Sequence, residues 1–171
     1  MANEARNVAV WKGGFSAERE VSLRSGAAVA HGLRDAGHEV VELDVTAPAP
    51  PIPDGLDAAF IALHGEYGED GGIQQYLERA GLPYTGSGPD GSRAAFDKKR
   101  TKRALERAGL PTAPYEILSA GSRRSLPLPA VVKPPRQGSS LGLSIVRREE
   151  DWEPALREAA RYGTEVLVES Y

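Results

Sequence analysis

The 171-residue chain contains no cysteine, which excludes disulfides, thiolate nucleophiles and thiolate metal ligands. Its three histidines, His31, His38 and His64, are too few for a dedicated zinc site without carboxylate help. No stretch approaches the roughly 20 apolar residues of a membrane span, and residues 1–6 (MANEAR) have no apolar core of a signal peptide. The sequence therefore reads as cytoplasmic. Neither sign of charge dominates: 21 basic and 24 acidic residues leave a net charge of -3, which argues against a nucleic-acid platform or a polybasic membrane surface. The dinucleotide fingerprint G-x-G-x-x-G and the P-loop pattern are also absent, so a nicotinamide cofactor loses ground.

What is present is an ordinary globular composition, 40% hydrophobic, enough for one good core or two modest ones. The apolar run 7–11 ends in Lys12, Gly13, Gly14, Phe15 and Ser16, and helix-compatible sequence follows from 17 to 36. Strand, glycine turn and helix in that order predict an α/β sheet with ligand chemistry at the carboxyl ends of the strands. Residues 39–45 alternate as a strand, and the proline-rich segment 46–55 is a stiff surface connection. The continuous apolar run 58–63 predicts a central parallel strand buried on both faces that delivers His64 and Gly65 to its end. A helix is predicted over 73–80, a brief fourth strand over 83–86 and a turn over 87–91. Asp97 is placed to cap a helix over 98–108. Three segments end in Ala-Gly at 36–37, 80–81 and 108–109; glycine there takes the left-handed conformation that stops a helix.

Further strands are predicted over 115–118, 131–133, 143–146 and 165–169, with a helix over about 151–162 that tolerates Pro154 in its first turn. Val166, Leu167 and Val168 are expected at an uncovered face that promotes self-association. The stretch 129–146 organises the rest. Val131 and Val132 form strand up to Lys133, Pro134 and Pro135 withhold N–H donors and stop the ladder, and residues 137–140 (QGSS) free their backbone amides for an anion, with glycine supplying the positive φ. A lysine at the strand end would meet the same anion. Glu18 and Glu20 both lie in a first helical turn, where position alone does not choose between them. Glu69 and Asp70 read as turn and dipole residues, and Lys98, Lys99, Arg100 and Lys102 together read as a solvated helix face.

Four runs, 13–22 (GGFSAEREVS), 64–71 (HGEYGEDG), 84–88 (YTGSG) with Asp97 and Lys98, and Lys133-Pro134 with 138–140 (GSS), together resemble the D-alanine–D-alanine ligase family of the ATP-grasp superfamily. The resemblance implies a parallel-sheet, Rossmann-like α/β N-terminal domain over 1–111 that binds substrate, then the α+β small lobe of an ATP-grasp domain over 112–171. In that family ATP phosphorylates the carboxylate of one D-alanine, and the amine of a second attacks the acyl phosphate in peptidoglycan precursor synthesis. By resemblance, Lys98, Lys133, Ser139 and Ser140 would hold ATP phosphate and Glu169 would contact adenine. Glu18 would pair with the ammonium of the first D-alanine, His64 would stand near the acyl centre, and Ser139 would join Glu18 and His64 as a catalytic residue. The family's Mg²⁺ ligands are matched nowhere in the chain and are expected in a large lobe beyond Tyr171. The resemblance thus implies an N-terminal part of a ligase, inactive alone, either as a homodimer or with a separately encoded C-terminal part. A non-catalytic remnant that binds D-alanine or nucleotide is the alternative.

Overall fold

The computed structural model of the protein describes residues 4–119 and 122–171, which fall into two compact units, 1–93 and 94–171. The first is built on a three-stranded parallel sheet in the order β2-β1-β3, with β1 Asn7–Gly13, β2 Glu39–Val45 and β3 Ala58–Ile61. Side chains of β1 alternate between faces, as pleating requires. Ala9 and Trp11 pack with Ile73 and Leu77 of α2 (Gly72–Arg79), while Val10 packs with Ala30 of α1 (Arg19–Asp35). Full burial of Ile73 or Leu77 is worth about 1.5–3 kcal/mol each.

The central strand is therefore β1, not the run 58–63. The predicted fourth strand reduces to a single parallel bridge between Ala59 and Tyr84. The Thr85 hydroxyl accepts from the backbone of Ile61, where a further strand would have offered a carbonyl. The predicted turn at 87–91 is instead the start of helix α3, Pro89–Phe96. Proline suits the first helical position because its missing N–H would have had no intrahelical partner there.

The second unit carries a four-stranded antiparallel sheet in the order β4-β7-β5-β6, with β4 Tyr115–Ser119, β5 Ala130–Lys133, β6 Ser144–Val146 and β7 Glu165–Ser170. After a 3₁₀ turn, Glu149–Asp151, helix α5 (Trp152–Ala160) packs Ala155 and Ala159 onto Val132, Val146, Val166 and Val168. Helix α4, Lys98–Arg107, addresses the opposite face, where Lys99 and Lys102 reach Glu165 and Glu169 of β7. β7 thus lies between two strands, and Val166, Leu167 and Val168 are buried rather than exposed on an open face. These ion pairs place α4 with the second unit, so the units divide ahead of it, where the sequence reading put a boundary at 111. Among the described residues no helix is long and apolar enough to cross a membrane.

Candidate functional site

In the first unit, the turn after β1 and the loop after β3 come together at the carboxyl ends of their strands. Gly13 and Gly14 have φ of +84° and +83°, a conformation natural to glycine, and Gly14 donates to Val45 at 2.8 Å. Arg19 fixes the turn through paired bonds of 2.8 and 2.7 Å to Asp44, a partnership that holds the Asp44 carboxyl below its ordinary value, and through a 3.0 Å bond to the Gly14 carbonyl. The Ser16 hydroxyl donates to the His64 carbonyl at 2.7 Å and accepts from the Glu18 backbone at 3.2 Å, tying both segments together. Glu18 occupies the N-cap position of α1 without a side-chain capping bond. Its carboxylate lies over Gly65 instead: a methyl group there would meet Glu18 Oε2 at 3.0 Å and the Ser16 side chain at 3.2 Å. Glu20, by contrast, is exposed, whereas Glu18 is half-buried.

His64 is half-buried, with Nε2 3.0 Å from the Ser25 hydroxyl and Nδ1 3.7 Å from Glu69 Oε1. Glu69 thus faces the histidine, whereas Asp70 does act in the turn, accepting from Gly72 at 2.9 Å. Ser16 and Ser25 were not singled out in the sequence. A signal existed for Ser25: positions 18, 22 and 25 share one face of α1 at helical spacing, and buried Ser22 donates from that face to the Ala62 carbonyl at 2.7 Å.

In the second unit, residues 134–143 join β5 to β6 over a cavity of about 270 Å³ lined by Lys98, Lys133, Gln137, Gly138, Ser139 and Ser140 among others. The carboxylate of Asp97 caps α4, accepting from Lys99 at 3.0 Å and Arg100 at 3.4 Å. Lys98 is anchored to the loop at both ends, its backbone donating to Pro135 at 2.9 Å and its Nζ to the Gln137 carbonyl at 2.5 Å. Burial, reinforced by the neighbouring charge of Lys133, pushes the Lys98 ammonium below its ordinary value against the opposing pull of Glu169 and Asp97. Positive φ falls on Ser139 (+48°), Ser140 (+60°) and Gly142 (+69°), not on Gly138. Two successive non-glycine residues in the left-handed region cost roughly 1–2 kcal/mol each, and here they are the central pair of a turn closed by the Leu141 amide, which donates to the Gly138 carbonyl at 3.0 Å.

Glu169 is nearly buried, with one carboxylate oxygen paired to Lys133 and the other 2.5 Å from Lys102. Burial pushes its carboxyl up, but the two lysines outweigh that and hold it below its ordinary value. The solvated face expected of α4 is therefore corrected: Lys102 is buried, and Lys99 pairs with Glu165. Among the described residues no three His, Asp or Glu side chains stand together to hold a metal ion. A second cavity of about 790 Å³, lined by Leu118, Leu156 and Val166 among others, contains none of these candidate residues.

The chain is thus a parallel α/β unit with an acid and a histidine at its strand ends, followed by an antiparallel unit with a lysine-lined cavity. Residues 46–87 match the family model described as D-ala D-ala ligase N-terminus, and residues 104–171 match that described as D-ala D-ala ligase C-terminus. The D-alanine–D-alanine ligase of Desulforudis audaxviator is 51% identical over 97% of this chain and 58% of its own length; that of Geotalea uraniireducens is 46% identical over 98% and 56%. The crystal structure of D-alanine–D-alanine ligase from Bacillus anthracis superposes with a TM-score of 0.88 at 32% identity, covering 98% of this chain and 58% of that one. The chain belongs to the D-alanine–D-alanine ligase family, and it spans a little over half the length of these relatives.

Proposed function

We propose that the protein is an ATP-dependent D-alanine–D-alanine ligase, in which residues 1–93 supply the first D-alanine site and residues 94–171 the phosphate-binding lobe. The observation that carries this reading is the pairing of a carboxylate against Gly65 beside His64 in one unit with two lysines around an anion-sized cavity in the other. D-alanine needs a carboxylate for its ammonium, and Glu18, whose carboxylate lies against Gly65, is an acid set into the strand-end loops. His64, held at Nε2 by Ser25, would stand by the carboxylate that becomes phosphorylated. Opposite charge at contact distance is worth about 4 kcal/mol at an effective dielectric near 20, which favours such half-enclosed positions over open surface.

The residues present fit a polyphosphate. Lys98 and Lys133 would take phosphate oxygens, and the 137–140 segment with Ser139 and Ser140 would close over them. Glu169 would then contact the adenine, as the family resemblance implies. In the overall reaction ATP transfers its terminal phosphoryl group to one D-alanine carboxylate, ADP leaves, and a second D-alanine amine displaces phosphate to form the peptide bond. The chain's share is to orient the amino acid through Glu18 and His64 and to offset the charge of the phosphates through the two lysines. Mg²⁺ in this family would be held together with the phosphates, and among the described residues no group of three His, Asp or Glu side chains marks a place for it.

Glu18→Gln is expected to weaken D-alanine binding by about 1.5–3 kcal/mol, the range of a hydrogen bond to a charged group, and to leave ATP binding unchanged. Calorimetric titration of the 171-residue polypeptide with each ligand measures both. Undiminished D-alanine affinity in this variant would sink the assignment.

A further inference from the structure

Lys102 has no place among the ligand contacts argued above, yet it is the most deeply buried lysine of α4, its side chain 8% exposed. Its ammonium has three protons, and three acceptors receive them: Thr112 Oγ1 at 2.7 Å, the Ala113 carbonyl at 2.9 Å and Glu169 Oε1 at 2.5 Å. The Tyr115 ring lies 5.1 Å from the same nitrogen. So saturated, Lys102 is unsuited to reach a ligand. Its effect passes through Glu169, whose other oxygen pairs with Lys133 on the cavity wall.

A single carboxylate between two lysines leaves that trio with a net charge of +1. If Lys102 were absent, Glu169 and Lys133 would neutralise one another, and the cavity would retain Lys98 as its uncompensated cation. We propose that Lys102 is a positioning residue that takes up part of the charge of Glu169, so that Lys133 keeps its own for a polyphosphate. This rests on the phosphate-binding reading of the second unit and deepens it by naming what keeps the cavity cationic.

Inorganic tripolyphosphate, titrated calorimetrically without divalent metal, isolates the charge effect because it has no adenine for Glu169 to contact. In the full 171-residue chain, Lys102→Met is expected to weaken binding about ten-fold, and Glu169→Gln, which frees Lys133, to strengthen it several-fold. The double variant Lys102→Met/Glu169→Gln should bind at least as tightly as the parent chain, a rescue that a purely structural lysine would not allow. Near-ultraviolet circular dichroism monitors folding; if Lys102→Met does not fold, Glu169→Gln alone decides. Parent-like binding by a folded Lys102→Met, or no gain from Glu169→Gln, overturns the proposal while leaving the phosphate site standing. Parent chain and Glu169→Gln that both fail to bind tripolyphosphate would overturn the phosphate site as well.

Discussion

Lys133→Ala is expected to lower ATP affinity by about 2–4 kcal/mol, or roughly thirty- to a thousand-fold, the cost of removing one member of a half-buried charge pair at a binding surface. The loss has two sources. A cation disappears from the wall of the 270 Å³ cavity, and the nearly buried Glu169 loses one of its two lysine partners. Lys99→Ala is the matched control: its ammonium pairs with Glu165 and does not line the cavity, so nucleotide affinity should be unchanged. Calorimetry on both variants measures the contrast. Equal affinity of Lys133→Ala and the parent would remove Lys133 from the site.

Gly71→Ala should be strongly destabilising to the first unit. Gly71 precedes α2 with φ of +87°, and an added Cβ would lie 2.4 Å from the Pro89 carbonyl oxygen and 2.8 Å from Arg93 Cγ. The left-handed conformation costs alanine about 1–2 kcal/mol, and forcing backbone apart adds about 1–3 kcal/mol, so a loss of about 2–5 kcal/mol is expected. Because α2 buries Ile73 and Leu77 against β1, any shift of its start is felt in the core. Gly81→Ala separates the two contributions: its φ is +69°, but nothing lies within 4 Å of the added carbon, so only the conformational cost should appear. Urea unfolding of both variants measures the difference, and equal losses would show that the contact with Pro89 carries no weight.

Local chemistry explains which parts of the structure were legible in the sequence. β2 was read with its observed ends because alternation and flanking breakers both mark them, and the Asp97 cap was read because a short acceptor before a helical run has one common use. Helix α3 was missed because Pro89 and Gly91, which serve turns equally well, masked a proline at a first helical position. The burial of Lys102 was not legible: its acidic partner comes from β7, 67 residues on, and no local pattern tells a solvated basic helix from one whose lysines reach across a sheet. Separation in sequence also hid the covering of Val166, Leu167 and Val168, since the strands that flank β7 precede it in the chain. In the loop, positive φ was expected of Gly138 and falls instead on Gly142 and on Ser139 and Ser140, the central pair of the turn between Gly138 and Leu141. Family resemblance points to Glu18, and the approach of its carboxylate to Gly65 depends on a contact 47 residues away that no local pattern shows.

The central claim is that one chain offers an amino-acid site in its first unit and a polyphosphate site in its second. Titrating ATP and D-alanine separately into the ¹⁵N-labelled 171-residue polypeptide, followed by amide chemical shifts, tests it most directly. The account predicts that ATP moves the amides of Lys98, Lys133 and 137–143, while D-alanine moves those of Ser16, Glu18 and 64–69. Spectra unchanged at millimolar concentrations of both ligands, or shifts gathered instead around Leu118, Leu156 and Val166, would contradict it.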